Sequence, residues 1–161
     1  MTVKAKRKVT RNANRRTSGT VKLGKAEEAL IAAARAAIKR RYRDDWQEVG
    51  AALRTRSGKI FTGVNLDAYL GRMAVCAEAV ALGRAVVDLG DAGIDMIVAV
   101  RHPPPGESDQ TVAVVSPCGA CRELIFDYDR NARVIVPNGA SPAVVPITDL
   151  LPNKYSRGPE L

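Results

Sequence analysis

Three cysteines lie in two short segments, Cys76-Ala77-Glu78 and Pro117-Cys118-Gly119-Ala120-Cys121, and the chain has no others. Thiolates are good zinc ligands, and three of them fill three corners of a tetrahedron, leaving the fourth for water. An acidic residue two positions after the first ligand can move protons at that water without touching the metal itself. The residue types thus point to a hydrolytic zinc site, one ion per subunit, with Cys76, Cys118 and Cys121 as ligands and Glu78 as proton carrier. Attack of water on an amidine-type carbon, followed by loss of ammonia, is the reaction such a site supports.

Three thiolates on a divalent ion leave a net charge of about −1, which blunts the metal as a Lewis acid unless something compensates. Arg122 and the positive ends of helices are the available compensators. Plainer readings exist for each residue. A CxxC pair also occurs in structural zinc knuckles and redox proteins. A structural site would want a fourth ligand, and the only histidine, His102, sits in a proline-rich loop. Cys76 as an inert buried thiol and Glu78 as a solvated helix carboxylate complete the alternatives.

The elements that must position these residues follow from pattern. Residues 23–42 are rich in alanine and leucine, acidic at the start and basic at the end, which predicts a helix with a stripe of Ala26, Leu30, Ala33 and Ala37. Residues 49–54 and 59–64 flank Thr55-Arg56-Ser57-Gly58 and read as a hairpin. An irregular stretch between Gly63 and Gly71 runs into a helix over 74–90 with Gly90 as C-cap, placing Cys76 in its first turn. Strands are expected at 94–100, 111–116 and 133–136, separated by the loop RHPPPGESD and by a helix over 121–129 that Pro117 helps to start. A polar turn, PNGAS, then leads to a short helix at ITDLL. That order predicts a mixed sheet covered by helices, an α/β sandwich.

With 161 residues, 46% of them hydrophobic, the chain is long enough for one well-packed domain. No apolar run is long enough for a membrane span and the N-terminus lacks the apolar core of a secretory signal, so a cytoplasmic protein is expected. An odd, small number of cysteines fits a reducing compartment better than a disulfide framework. The net charge of +8 suggests a polyanion, but Lys4, Lys6, Arg7, Lys8, Arg11, Arg15 and Arg16 carry most of it and no acid precedes Glu27. Residues 1–20 are therefore expected to be a basic, disordered tail, able to touch nucleic acid only electrostatically, and 21–161 the folded zinc-dependent domain.

Ile60-Phe61-Thr62-Gly63-Val64-Asn65, Cys76-Ala77-Glu78, Ser116-Pro117-Cys118-Gly119-Ala120-Cys121-Arg122 and Leu150-Leu151-Pro152 occur in the order and spacing of one family. They resemble the cytidine deaminases, and among them the small blasticidin-S deaminase branch, over residues 25–157. The resemblance implies a three-layer α/β/α sandwich with a mixed five-stranded sheet and a homotetramer whose sites are completed by neighbouring subunits. It also implies zinc on the three cysteines, Glu78 as proton shuttle, the Ala77 amide on the substrate ring, the Ser116 carbonyl on the departing amine and Asn65 on a sugar hydroxyl.

The chain departs from that pattern around the substrate. Asp67 stands where cytidine deaminases use a glutamate on the ribose, and Gln47 stands where a phenylalanine packs on the pyrimidine. Trp46 either replaces that ring or is structural. Tyr155 either reaches a substrate pocket, as the family's C-terminal aromatic does, or packs on its own subunit. Tyr69 and Arg72 precede the first zinc segment and are either surface residues or further substrate contacts. The reading is thus a zinc-dependent hydrolytic deaminase of a cytosine-type base in a nucleoside or nucleoside analogue. The alternatives are a nucleic-acid-binding or editing protein that uses its basic tail, and a noncatalytic zinc module.

Overall fold

A computed structural model describes residues 23–90 and 93–155. The expected tail at 1–20 lies outside the described residues. Helix α1 (Lys25–Arg41) carries Glu27 and Glu28 in its first turn and Lys39, Arg40 and Arg41 in its last, the polarity its dipole favours. Its buried face is Leu30, Ile31, Ala34, Ala37 and Ile38, rotated from the expected stripe so that Ala26 is exposed. Burying a large aliphatic side chain gains roughly 2 kcal/mol, far more than an alanine returns, and the helix turns Ile31 and Ile38 inward accordingly.

Strands β1 (Val49–Thr55) and β2 (Ile60–Val64) form the expected hairpin, with Leu53 opposite Phe61 and Gly58 at φ 85° in the turn. Helix α2 (Ala77–Leu89) ends at Gly90, whose φ of 73° and amide bond to the Val86 carbonyl make it the anticipated C-cap. Strand β3 (Ile94–Arg101) lies at the centre, antiparallel to β1 and parallel to β5 (Arg133–Val136). Helix α3 (Gly119–Tyr128) connects β4 (Ala113–Val115) to β5. Strand β6 (Ala143–Pro146) and helix α4 (Ile147–Leu150) follow.

The sheet runs β2-β1-β3-β5-β6, with β4 pairing the end of β3 beside β5. Its main path therefore has the expected five strands, but one of them differs from the sequence reading. The 111–116 strand shrinks to Ala113–Val115, because the Val112 carbonyl accepts from Arg35 Nε (2.9 Å) on α1 instead of joining a ladder. The fifth place is taken by β6, which the sequence reading did not anticipate; Pro142 precedes it and Pro146 is its last residue, and it is an edge strand, where proline is tolerated.

Side chains alternate across the sheet with period two. Ala52, Met96, Val98, Val100 and Ile135 pack under α1, while Ala51, Leu53, Ile97, Val134 and Val136 pack against α2 and α3. The fold is thus an α/β/α sandwich, as expected. Two glycines let helices approach the hairpin. A Cβ on Gly50 would lie 2.7 Å from the Ala34 carbonyl oxygen of α1, and one on Gly63 would lie 2.4 Å from that of Ala77 at the start of α2. Among the described residues no helix is long and apolar enough to cross a membrane.

Candidate active site

Both cysteine segments lead into helix starts, but with shifted boundaries: α2 begins at Ala77 rather than at 74, and α3 at Gly119 rather than at 121. Cys76 is the N-cap of α2 and Cys118 the N-cap of α3, each with extended backbone (φ −67° and −66°), while Cys121 lies within the first turn of α3. Pro117 therefore precedes the cap. The shift matters chemically, because an N-cap side chain folds back over free helix amides. The Cys118 sulfur accepts from the Cys121 amide at 3.4 Å, and such contacts together with two helix dipoles favour thiolate over thiol.

The three sulfurs lie within 4.8 Å of one another, and Cys76 Sγ is 3.6 Å from Cys118 Sγ. Zinc–sulfur bonds of about 2.3 Å at the tetrahedral angle put sulfurs about 3.8 Å apart. All three cysteines are free, and 3.6 Å is far beyond a disulfide bond. The donor set and its spacing thus fit zinc with one corner open. Cys121 is buried at the back, Cys76 is half-buried and Cys118 is exposed. Burial pushes the Cys121 and Cys76 thiols up. Burial also opposes the Cys118 thiolate, but bonds from the Cys121 amide and the neighbouring thiols outweigh it and hold that group below the usual thiol range.

His102 does not join them. It stacks on Tyr42 with ring centroids 4.0 Å apart, and its Nδ1 lies 2.8 Å from the Pro103 carbonyl oxygen. The cluster at this site that could hold a metal is Cys76, Cys118 and Cys121.

Beside them opens a cavity of about 160 Å³ lined by Val49, Asn65, Cys76, Ala77, Glu78, Val115, Ser116 and Cys118. Glu78 sits at the second position of α2 and is only 5% exposed. Burial raises its carboxyl above the usual glutamate range, with its own amide and the Cys121 thiol pulling the other way. A carboxyl raised in this way holds a proton more readily than a solvated glutamate, as a group that picks up and returns one must.

The structure thus gathers Cys76, Cys118, Cys121, Glu78, Asn65, Ala77 and Ser116 at one place. The Asn65 amide is already engaged: Oδ1 accepts from the Glu48 and Val49 amides (3.0 and 2.9 Å) and Nδ2 donates to the Trp46 carbonyl (2.9 Å). Asp67, Trp46 and Tyr155 are not among the lining residues. Asp67 is exposed and accepts from the adjacent Ala68 amide at 2.7 Å. Trp46 is half-buried, edge-on to the exposed Tyr69 (5.2 Å) and beneath the Arg43 guanidinium. Tyr155 is 78% exposed, next to Lys154, whose ammonium pairs with Glu123 and Asp127 on α3. Arg72 is exposed on a single turn of helix, Gly71–Met73.

Arg122 bonds to carbonyls rather than sulfur. Its Nε donates to Pro117 O (3.0 Å) and its Nη1 to Leu150 O (3.3 Å). Its charge still stands one residue from Cys121.

Sequence reasoning passed over Val49, Val115 and Gly63. The two valines are strand residues that only the sheet brings to the cavity, and nothing in the sequence marks them. Gly63 carried a usable signal, a glycine inside a strand pattern, which indicates close approach of another backbone.

This fold and site define a known class. The family model for the cytidine and deoxycytidylate deaminase zinc-binding region matches residues 24–137. The chain belongs to that family of zinc-dependent deaminases, which act on cytosine-type substrates. It is 43% identical over 138 residues to a blasticidin-S deaminase of Bacillus cereus, covering 86% of this chain and 98% of that protein. A probable cytidine deaminase of Dictyostelium discoideum is 33% identical, over 68% of this chain and 69% of its own length. Among solved structures, cytidine deaminase from Burkholderia pseudomallei superposes with a TM-score of 0.65 at 30% identity, covering 80% of this chain and 98% of that one.

Proposed function

We propose that this chain deaminates a cytosine-type ring carried on a nucleoside or nucleoside analogue: cytidine, deoxycytidine or a blasticidin S-like molecule. Water replaces the 4-amino group, the ring keeps a keto oxygen, and ammonia leaves. The observation that carries this reading is the Glu78 carboxyl, buried on the wall of the cavity that Cys76 and Cys118 also line.

Zinc held by Cys76, Cys118 and Cys121 supplies a Lewis acid that makes water a competent nucleophile near neutral pH. Glu78 takes a proton from the attacking water, delivers it to the ring nitrogen beside the reacting carbon, and then carries a second proton to the departing amine. The Ala77 amide is suited to donate to the ring and the Ser116 carbonyl to accept from the amine. Both residues line the cavity, which supports these roles. Arg122 is the side chain proposed to offset the negative charge of the thiolates.

Within the class, the blasticidin S-like substrate has the better support. The B. cereus relative is named for that substrate and is matched along almost its whole length. The Asp67 carboxylate, which would have to replace the ribose-binding glutamate, is engaged with its own loop. Trp46 and Tyr155 remain proposed contacts for the parts of the substrate beyond the ring.

The cavity is smaller than the roughly 300 Å³ at which ligand pockets usually begin, and Leu66, Tyr69, Leu70 and Met73 expose apolar surface on the segment leading to Cys76. Both favour a homotetramer whose copies complete each other's sites. Three free cysteines favour the cytoplasm. Residues 21–161 form the deaminase domain in this reading, and residues 1–20 a basic tail through which any nucleic-acid contact would run.

The test is ammonia release, followed with the loss of ultraviolet absorbance, from cytidine, deoxycytidine, blasticidin S and related aminopyrimidines by zinc-loaded protein. Turnover of at least one supports the reading, with blasticidin S expected to be preferred. A silent panel overturns it. Sedimentation tests the tetramer.

A further inference from the structure

Strand β2 ends at Val64, one residue short of covering the start of β1. The Asn65 side chain continues where the strand stops. Its backbone amide donates to the Val49 carbonyl at 3.0 Å, in the manner of a ladder. Its Oδ1 then accepts from both the Glu48 and Val49 amides, and its Nδ2 donates to the Trp46 carbonyl. Four hydrogen bonds of about 3 Å thus run from one residue to Trp46, Glu48 and Val49 of another segment.

That segment is a tight turn entering β1. Arg43 and Gln47 pair across it, Asp45 sits at φ 53°, and His102 donates its backbone amide to the Glu48 carbonyl at 2.7 Å. Val49, where the turn becomes strand, lines the cavity. Trp46, whose carbonyl Asn65 holds, carries the ring that meets Tyr69.

An amide oxygen has two lone pairs and an amide nitrogen two protons. Both acceptor positions and one donor position of Asn65 are therefore spent on the protein. We infer that Asn65 is a positioning residue: it clamps the turn Trp46–Val49 and so sets where Val49 stands in the cavity wall, with Trp46 held in the turn behind it. The inference rests on the deaminase reading for its kinetic consequence only; the clamp itself is independent of substrate.

Two substitutions separate the clamp from a simple substrate contact. Asn65→Ala removes all three side-chain bonds. Asn65→Asp keeps both acceptors for Glu48 and Val49 but removes every side-chain donor. Amide hydrogen exchange by NMR on the zinc-loaded protein, with zinc content and steady-state kinetics alongside, reads both. For Asn65→Ala the Glu48 and Val49 amides should exchange faster by about tenfold or more, the loss expected when a partly buried donor loses its partner. Zinc content should stay at wild type and kcat should fall. For Asn65→Asp, protection at Glu48 and Val49 should return with most of kcat, leaving the deficit in KM.

Unchanged exchange in Asn65→Ala would overturn the clamp. Faster exchange with an unaltered kcat would show a brace with no bearing on the reaction. An Asp variant that loses kcat as fully as Ala while keeping its protection would make Asn65 a substrate contact alone. Should the Ala variant fail to fold, the Asp variant still decides: it removes the bond to the Trp46 carbonyl, so the fluorescence of Trp46, the single tryptophan of the chain, should shift, and an unshifted spectrum would overturn the clamp. Absence of any turnover in the wild-type chain sinks the deaminase reading, while the exchange rates still decide the clamp.

Discussion

The alpha carbon of Gly63 faces the carbonyl of Ala77 so closely that a methyl group on it would lie 2.4 Å from the Ala77 oxygen and 2.7 Å from the Ala81 nitrogen. Both neighbours are backbone of α2, the helix that begins on Cys76 and carries Glu78 at its second position. A glycine on a strand thus sets the depth at which Cys76 and Glu78 sit.

Replacing Gly63 with alanine should therefore damage stability and activity together. Overpacking of this kind costs about 2 kcal/mol, readable by urea unfolding, and a displaced helix start should cut turnover on the order of 100-fold. Gly83 on the same helix is the control, because a Cβ there meets nothing within 4 Å. Gly83→Ala should be neutral or stabilising by up to about 1 kcal/mol. Equal effects at the two positions would refute the packing account.

Glu78→Gln preserves shape and removes the titratable carboxyl. Zinc content and melting temperature should hold while kcat falls by roughly 10²–10⁴-fold, the usual contribution of a positioned acid–base group. A noncatalytic zinc module would instead keep its full function in this variant.

Zinc removal should be visible as a loss of stability. A ligand at about 1,000 times its Kd adds about 4 kcal/mol to the folded state, which for a chain of this size moves the melting temperature by roughly 10 °C. Chelator-treated protein should melt that much lower and recover with one equivalent of zinc. Identical melting curves with and without chelator would mean that the three sulfurs hold no ion.

Acid should weaken the sheet through Asp95. Its carboxylate joins Arg54 of β1 to Arg133 of β5 across β3. Burial opposes its ionisation, but hydrogen bonds from Arg133 and Arg54 outweigh that and hold it below the ordinary aspartate range. A group with a depressed folded pKa adds stability above its unfolded value of about 3.9, and the gain is lost as pH falls through the folded one. Asp95→Asn should cost about 1 kcal/mol at neutral pH, and progressively less as pH falls through the folded pKa of Asp95. A variant whose deficit is independent of pH would contradict the pairing.

Much of the fold was legible from local pattern. The α1 helix, the β1–β2 hairpin, the Gly90 cap and the central strand β3 each follow from propensity and periodicity, which act over a few residues. The errors share a cause. The α1 stripe was misplaced because alanines satisfy several helical faces equally, and the sheet decides which face gains most. Strand β6 was not anticipated, and Pro146 within it is tolerated because the strand lies at an edge. The 111–116 strand shortened because Arg35, 77 residues away, took its carbonyl.

The site divides along the same line. Residue type and spacing alone singled out Cys76, Cys118, Cys121 and Glu78 as candidates, because zinc chemistry constrains which atoms can be ligands and how near a proton carrier must stand. Only the tertiary structure decided that Cys76 and Cys118 are helix caps whose sulfurs stand 3.6 Å apart, that Asp67 lies outside the cavity, and that Val49 and Val115 lie within it. Ligand chemistry is a property of side chains and survives in the sequence. Which side chains face one another across a sheet depends on helix depth and strand register, and those are set by contacts between segments that the linear order does not bring together.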